Sequence, residues 1–415
     1  MKRVLTLASV LFVLITVSSF ADDITVWSFT DEVDGLLNYY RRAFPDVTIN
    51  YSLTPTEQFP SRLDPVLASG RGAPDVFALE SAFVRKYIES GLLLDLTPIV
   101  ERNRSKLLQY PIDVGTYQGR VYGMSWQACP GAFFYRRSLA RRYLGTDDPA
   151  TVQTYFTDFD KFLETAKRLK DSSNGSCVVV PSLGDLQFPF YGARSQPWVV
   201  NNRLAIDPVM DQYLEVCKTL YDYRLEGRVG QWTEGWFAGM KGELRDGRNT
   251  LQVFGYFLPT WGLQYVLKTN CGNTAGDWAM IQGPVSWRWG GTWLGAYRGT
   301  RNANRAIQMI EWLTTNDDFL RQYALATGDM VTNTNVINSI QGRFSEPFLG
   351  GQNHYAEFAR MATGVNGRLT QSYDDVIQAF FQEALDAYVN GEKSKAQAIS
   401  DFRRRVQSQV GINSN

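Results

Sequence analysis

The chain has 415 residues, with 42 Lys and Arg against 42 Asp and Glu, and one histidine. That balance, without a dense basic cluster, excludes the electropositive face that a phosphate backbone requires, so nucleic acid is not an expected partner. His354 alone makes a His-built metal site or a Ser-His-Asp triad at best a single-residue proposition, and Cys129, Cys177, Cys217 and Cys271 lack paired CxxC spacing, so no metal or cofactor is expected.

Lys2 and Arg3 give a basic start, residues 4–17 form an apolar run, and Ser19-Phe20-Ala21 puts small residues where a signal peptidase reads them. The run is 14 residues, short of the roughly 20 that span a bilayer. A signal peptide at 1–21, cleaved after Ala21, is therefore expected, with the remaining 394 residues exported. Those residues suffice for two substantial lobes, and losing Lys2 and Arg3 leaves 40 basic against 42 acidic groups. The four cysteines, in an oxidising compartment, are open between two disulfides and four buried thiols.

Residues 24–29 (ITVWSF) are β-rich, and 31–42 have helical spacing ending before Pro45. Residues 47–53 alternate as a strand, 59–69 read as a helix stopped by Gly70, and 75–79 as a short buried strand. A helix over 82–90 and an edge segment over 92–100 complete a first α/β unit, in which loops after parallel strands converge where ligands bind. A turn at Gln118-Gly119, a strand, a kink at Cys129-Pro130-Gly131 and another strand look like a crossing into a second unit. That unit shows helices over 156–170 and 210–223 and strands over 177–180, 250–257 and 278–282. A Gly- and Trp-rich loop over 283–291 leads to a strand over 293–297 and helices over 303–314, 317–326, 372–390 and 394–409. The basic run Arg403-Arg404-Arg405 reads as cations at a helix C-terminus, and His354 as part of a loop or helix start.

The stretches ITVWSF, FPDVTINY, LASGRGAPDVFALES, ESGLLLDLTPIV, GRVYGMSWQACPGAFFYRRSLA, GGTWLGAYRGTRNANRAIQMIEWLTT, LATGDMV and NGEKSKAQAI occur in an order that resembles the carbohydrate-class extracellular solute-binding proteins of ABC importers, the group that includes maltose-binding proteins. The resemblance implies an α/β, two-lobed periplasmic-binding-protein fold with discontinuous lobes joined by a multi-strand hinge. We place an N-terminal lobe at 22–130 and 292–345 and a C-terminal lobe at 131–291 and 346–415. It further implies a periplasmic monomer that binds a neutral sugar or oligosaccharide, performs no chemistry on it, and meets the membrane only through its permease subunits. Two departures leave the particular sugar unassigned: Asp329, Met330 and Val331 follow Gly328 where the family usually has an apolar or aromatic residue and then proline, and Cys129 lies in the first crossover.

A pyranose presents an apolar face and a belt of hydroxyls, so its site needs flat aromatics and polar edges. Asp31 and Glu32 follow the first strand and Glu80 the third, at one sheet edge, with helix capping the alternative role for Asp31. Trp126 and Gln127 follow the crossover strand, and the resemblance places ligand contacts in the Asp185 loop. Trp232 belongs with the aromatics beside turns. The resemblance also maps an aromatic contribution to Tyr256, Phe257 and Trp261, and another to Tyr373. In the Trp-rich loop, Trp289 and Trp293 flank Gly290 and Gly291, whose amides have no Cβ in the way. The alternatives are the same fold taking a polyamine, a compatible solute or a sugar phosphate, for which Arg194 and Arg288 are the basic candidates, and a secreted glycosidase.

Overall fold

A computed structural model describes residues 23–413. Seven strands organise it: β1 (Ile24–Ser28), β2 (Ile49–Leu53), β3 (Val76–Glu80), β4 (Gly131–Arg136), β5 (Gly255–Pro259), β6 (Trp278–Ile281) and β7 (Thr292–Ala296). The first sheet has the order β7-β3-β1-β2. Its strand β1 runs parallel to β2 and β3, while β7 returns antiparallel with Thr292 opposite Glu80. Strand β3 is buried on both faces at Val76, Phe77, Ala78 and Leu79, as befits an inner strand reached by helical crossovers. The crossovers are the helices Glu32–Ala43 and Phe59–Ser69, the second ending at Gly70 with φ of 71°. The second sheet is the antiparallel triplet β5-β4-β6. Under it Phe133 packs on Phe257 at 4.6 Å and Phe156 at 5.0 Å, and Trp287 meets Phe257 edge-on.

Three backbone passages run between the sheets, tied by the bridges Met124 to Leu294, Gln127 to Val331 and Pro130 to Arg288. The result is two α/β lobes, discontinuous in sequence, joined by a multi-strand hinge. Away from the hinge, the turn Gly367–Leu369 packs on the helix Gln109–Gly115. A Cβ on Gly367 would lie 2.2 Å from the carbonyl oxygen of Tyr110, so only glycine fits this contact.

Most expected elements are present with ends displaced by one to three residues. Residues 92–100 differ: Leu93 makes a single bridge to Tyr297, and Thr97–Asn103 is a helix with proline in its first turn, where the missing N–H costs nothing. The expected strand over 250–257 is broken in two, Gln252–Val253 pairing with Cys177–Val178 before β5 begins. The helices Arg137–Leu144, Glu234–Lys241 and Thr334–Ile340 were not foreseen, and His354 opens the helix His354–Ala362. All four cysteines are buried free thiols. The expected signal peptide lies outside the described residues.

Candidate functional site

The turn after β1 is shaped by its own polar groups. Ser28 Oγ donates to the Thr30 carbonyl at 2.7 Å, and Tyr51 does the same from β2 at 2.8 Å. Asp31 then sits exposed at the helix start without a side-chain capping bond, and Glu32 turns toward the hinge. There its carboxylate accepts from Trp126 Nε1 at 3.4 Å, from Gln127 Nε2 at 3.2 Å and from the hydroxyl of Tyr323. The same hydroxyl lies 3.3 Å from Asp329 Oδ2. A phenol has one proton, so the two carboxyls compete for it. Burial raises the pKa of Glu32, and burial followed by the charge of Glu32 pushes Asp329 up to about 7.

At the end of β3, Glu80 accepts from the Ala82 amide at 2.5 Å, and burial raises its pKa. It opens onto a cavity of about 290 Å³ whose walls include Phe188, Arg194, Arg288, Trp289 and Asp374. Arg288 ties two distant loops, donating to Ser81 Oγ at 2.7 Å and Thr370 Oγ1 at 2.8 Å. Burial raises Asp374 to about 6, against the pull of Arg194 and Arg288. Desolvation lowers the pKa of both arginines, and neighbouring acids partly restore it.

One wall of this cavity continues as an aromatic strip. Phe188 stacks on Trp289 with centroids 4.6 Å apart, and Trp289 meets Trp261 at 5.2 Å and Trp232 at 5.6 Å. Trp232 lies nearly parallel to Trp261, is 44% exposed, and has φ of 68°, a left-handed conformation that is costly for a bulky residue. Trp261 Nε1 donates to the Trp289 carbonyl at 3.0 Å, an approach that needs Gly290, where a Cβ would come within 2.8 Å of that nitrogen.

The structure therefore gathers Glu80, Trp289 and Gly290 on the cavity, with Trp232 and Trp261 along the strip. Gly291 adjoins the strip, its carbonyl accepting from the Ser81 amide at 3.0 Å. Glu32, Trp126 and Gln127 form a cluster at the hinge. Four expected residues lie beneath the walls. Tyr256 is fully buried with its hydroxyl on the Trp236 carbonyl at 2.9 Å, and Phe257 is 1% exposed against Phe133. Both belong to β5, which is buried along its whole length, so their rings are core. Trp293 is held by the Pro111 carbonyl at 2.9 Å, and Asp185 accepts from Trp236 Nε1 at 2.9 Å and Gln231 Nε2 at 3.0 Å, which makes it a support for the Trp232 loop. Tyr373 is not on the cavity wall, whereas Asp374 beside it is. Sequence reasoning did not single out Phe188, Thr370 and Tyr323, which the structure brings to the cavity or the hinge cluster, and it met Asp374 only as the neighbour of Tyr373 and Asp329 only as a departure from a pattern.

The family model for bacterial extracellular solute-binding proteins matches residues 27–318, more than half of the chain. The chain belongs to this family. An arabinooligosaccharide-binding protein of Bacillus subtilis (strain 168) is 23% identical over 203 residues, 46% of each chain, so this solute-binding protein spans less than half the length of that curated relative. A solved extracellular solute-binding protein of family 1 superposes with a TM-score of 0.81 at 21% identity, covering 93% of this chain and 99% of the other. The sugar-binding protein MalE from the phytopathogen Xanthomonas citri superposes with a TM-score of 0.77 at 15% identity, covering 93% and 96%. Those likenesses establish the two-lobed fold of the solute-binding protein. Among its described residues no helix is long and apolar enough to cross a membrane.

Proposed function

We propose that the protein captures a sugar or short oligosaccharide between its lobes and delivers it, unaltered, to the permease of an ABC importer. The observation that carries this reading is the aromatic strip Phe188, Trp289, Trp232 and Trp261, set beside a polar cavity to which Glu80 comes from one lobe and Asp374 from the other. A sugar ring satisfies both requirements, laying its C–H face on the indoles and its hydroxyls against carboxylates and amides. Relatives described as binding an arabinooligosaccharide or as sugar-binding support the same class. A phosphate ligand is less well served, because Arg194 and Arg288 already act on Asp374, and Arg288 on Glu80.

On this reading the chain is exported after cleavage behind Ala21 and acts as a periplasmic monomer. Its lobes comprise residues 22–130 with 292–345, and 131–291 with 346–415. A ligand touching both lobes shifts the equilibrium toward closure, since it binds the closed form more tightly than the open one. The test is a thermal-shift screen of residues 22–415 against mono- and oligosaccharides, polyamines, betaines and sugar phosphates. A ligand at a hundredfold excess over its Kd adds about 2.7 kcal/mol, which moves the midpoint by a few degrees. A saccharide hit is expected; hits confined to the charged compounds would refute the saccharide assignment.

A further inference from the structure

The carboxyls at the two ends of the cleft are compensated differently. At the cavity, Glu80 lies in the field of Arg288, and Asp374 in those of Arg194 and Arg288. At the hinge end, the groups that act most strongly on Glu32 and Asp329 are each other, Asp31, and the neutral donors Trp126, Gln127, Tyr265 and Tyr323, with no lysine or arginine among them. Asp329 is only 7% exposed. Its Oδ2 shares the Tyr323 hydroxyl with Glu32, and its Oδ1 has no hydrogen-bond partner. A carboxylate taken out of water in this way is unfavourable unless a counter-charge joins it.

The surroundings indicate what that counter-charge is. Tyr265 turns its hydroxyl to Asp329 from the second lobe, is 59% exposed, and lies four residues beyond Trp261 in the same helical segment. A cation here meets the carboxyl oxygens of Glu32 and Asp329 and the hydroxyl oxygens of Tyr265 and Tyr323, a set of acceptors that suits the N–H donors of an organic ammonium group. Among the described residues no group of three or more His, Cys, Asp or Glu is placed to hold a metal ion. Glu32 comes from the first lobe and Tyr265 from the second, so the cation would bridge the lobes.

We propose that the hinge end of the cleft is a subsite for an ammonium group, and that the saccharide captured here carries a free amine, as an amino sugar does. This inference rests on the saccharide reading and replaces the expectation of a wholly neutral ligand. The hydroxyls of such a sugar remain for the strip and the cavity, where charges are matched within the protein.

Titration calorimetry at about pH 6.5, where sugar amines are largely protonated, would compare matched sets on residues 22–415. The sets are glucose, galactose, mannose and cellobiose, each with its free-amine and N-acetyl counterparts. In at least one set the free amine should bind about tenfold or more tighter than both partners, which is about 1.4 kcal/mol. That advantage should shrink as salt rises and fall to near unity in Asp329→Asn and Glu32→Gln. Asp329→Asn should also raise the melting temperature of the unliganded protein, the opposite of what loss of a structural carboxylate would do. A hydroxyl or N-acetyl member binding as tightly as the amine in every set that binds would overturn the ammonium subsite and leave the saccharide reading standing. Silence from every member of every set would overturn the ammonium subsite alone where the thermal-shift screen finds a neutral saccharide, and the saccharide reading with it where that screen finds none.

Discussion

Arg288→Ala should destabilise the protein by an amount that depends strongly on pH. Its guanidinium donates to Ser81 and Thr370, with a longer contact of 3.4 Å to the Gly290 carbonyl. It also acts on the carboxyls of Glu80 and Asp374. Hydrogen bonds from a charged donor contribute about 1.5–3 kcal/mol each before desolvation is counted, and removing one partner of a desolvated charge set costs about 3–5 kcal/mol. Without Arg288 the folded-state pKa values of Glu80 and Asp374 rise further. A group whose folded pKa lies above its unfolded value contributes stability that is lost as pH rises through the folded pKa. With Asp374 at about 6 in the native protein, this carboxyl is already largely protonated at pH 5 and needs no counter-ion. The expected cost is about 3–5 kcal/mol at pH 8 and about 1–2 kcal/mol at pH 5, where the charge on Asp374 is gone and relief of the desolvated guanidinium offsets part of the lost hydrogen bonds. Urea unfolding of both proteins at the two pH values measures it. Equal costs at pH 5 and pH 8, or a larger cost at pH 5, would refute this view of Arg288 as counter-ion to the cavity.

Other outcomes follow from single contacts. Trp232→Gly removes an exposed ring and a left-handed backbone cost of about 1–2 kcal/mol, offset by the flexibility of glycine; the melting temperature should change little while saccharide affinity falls tenfold or more by calorimetry. Gly367→Ala puts a methyl 2.2 Å from the Tyr110 carbonyl, so the lobes must part there by about an ångström, at a cost of about 1–3 kcal/mol. Urea unfolding should register the loss and small-angle scattering a larger radius of gyration. Asp329, raised to about 7 from the ordinary aspartate value of 3.8, makes the unliganded protein less stable as pH climbs between those values, by an amount on the order of 4 kcal/mol. Asp329→Asn should flatten that part of the stability profile. The four buried thiols should ignore a thiol reagent in the native state and react fully in denaturant, and reductant should leave the melting temperature unchanged.

The scaffold was legible where local chemistry decides structure. Strand β1 alternates buried and partly exposed residues, so its period is visible in ITVWS. Gly70 and Gly328 end their helices in left-handed conformations that glycine adopts freely. The segment LLLDLTPIV was misread because a short apolar run has no period that separates strand from helix, and Pro98 begins the helix there. Site aromatics were harder to read. Tyr256, Phe257 and Trp293 stand beside glycines much as Trp232 and Trp289 do, and only the packing of both sheet faces shows that the first three are core. The meeting of Glu32 with Tyr323 joins residues 291 positions apart, and Arg288 reaches Ser81 across 207, so neither could be read from spacing. Glu80, at the end of an evident buried strand, could be.

Titration calorimetry of a screened saccharide against the wild-type protein, Glu80→Gln and Trp232→Ala, one change in each lobe, is the decisive measurement. Binding at a stoichiometry of one, weakened about tenfold or more by each substitution, is the expected result, corresponding to at least about 1.4 kcal/mol per site. Absence of saccharide binding, or binding that neither substitution disturbs, would contradict capture of a sugar between the two lobes.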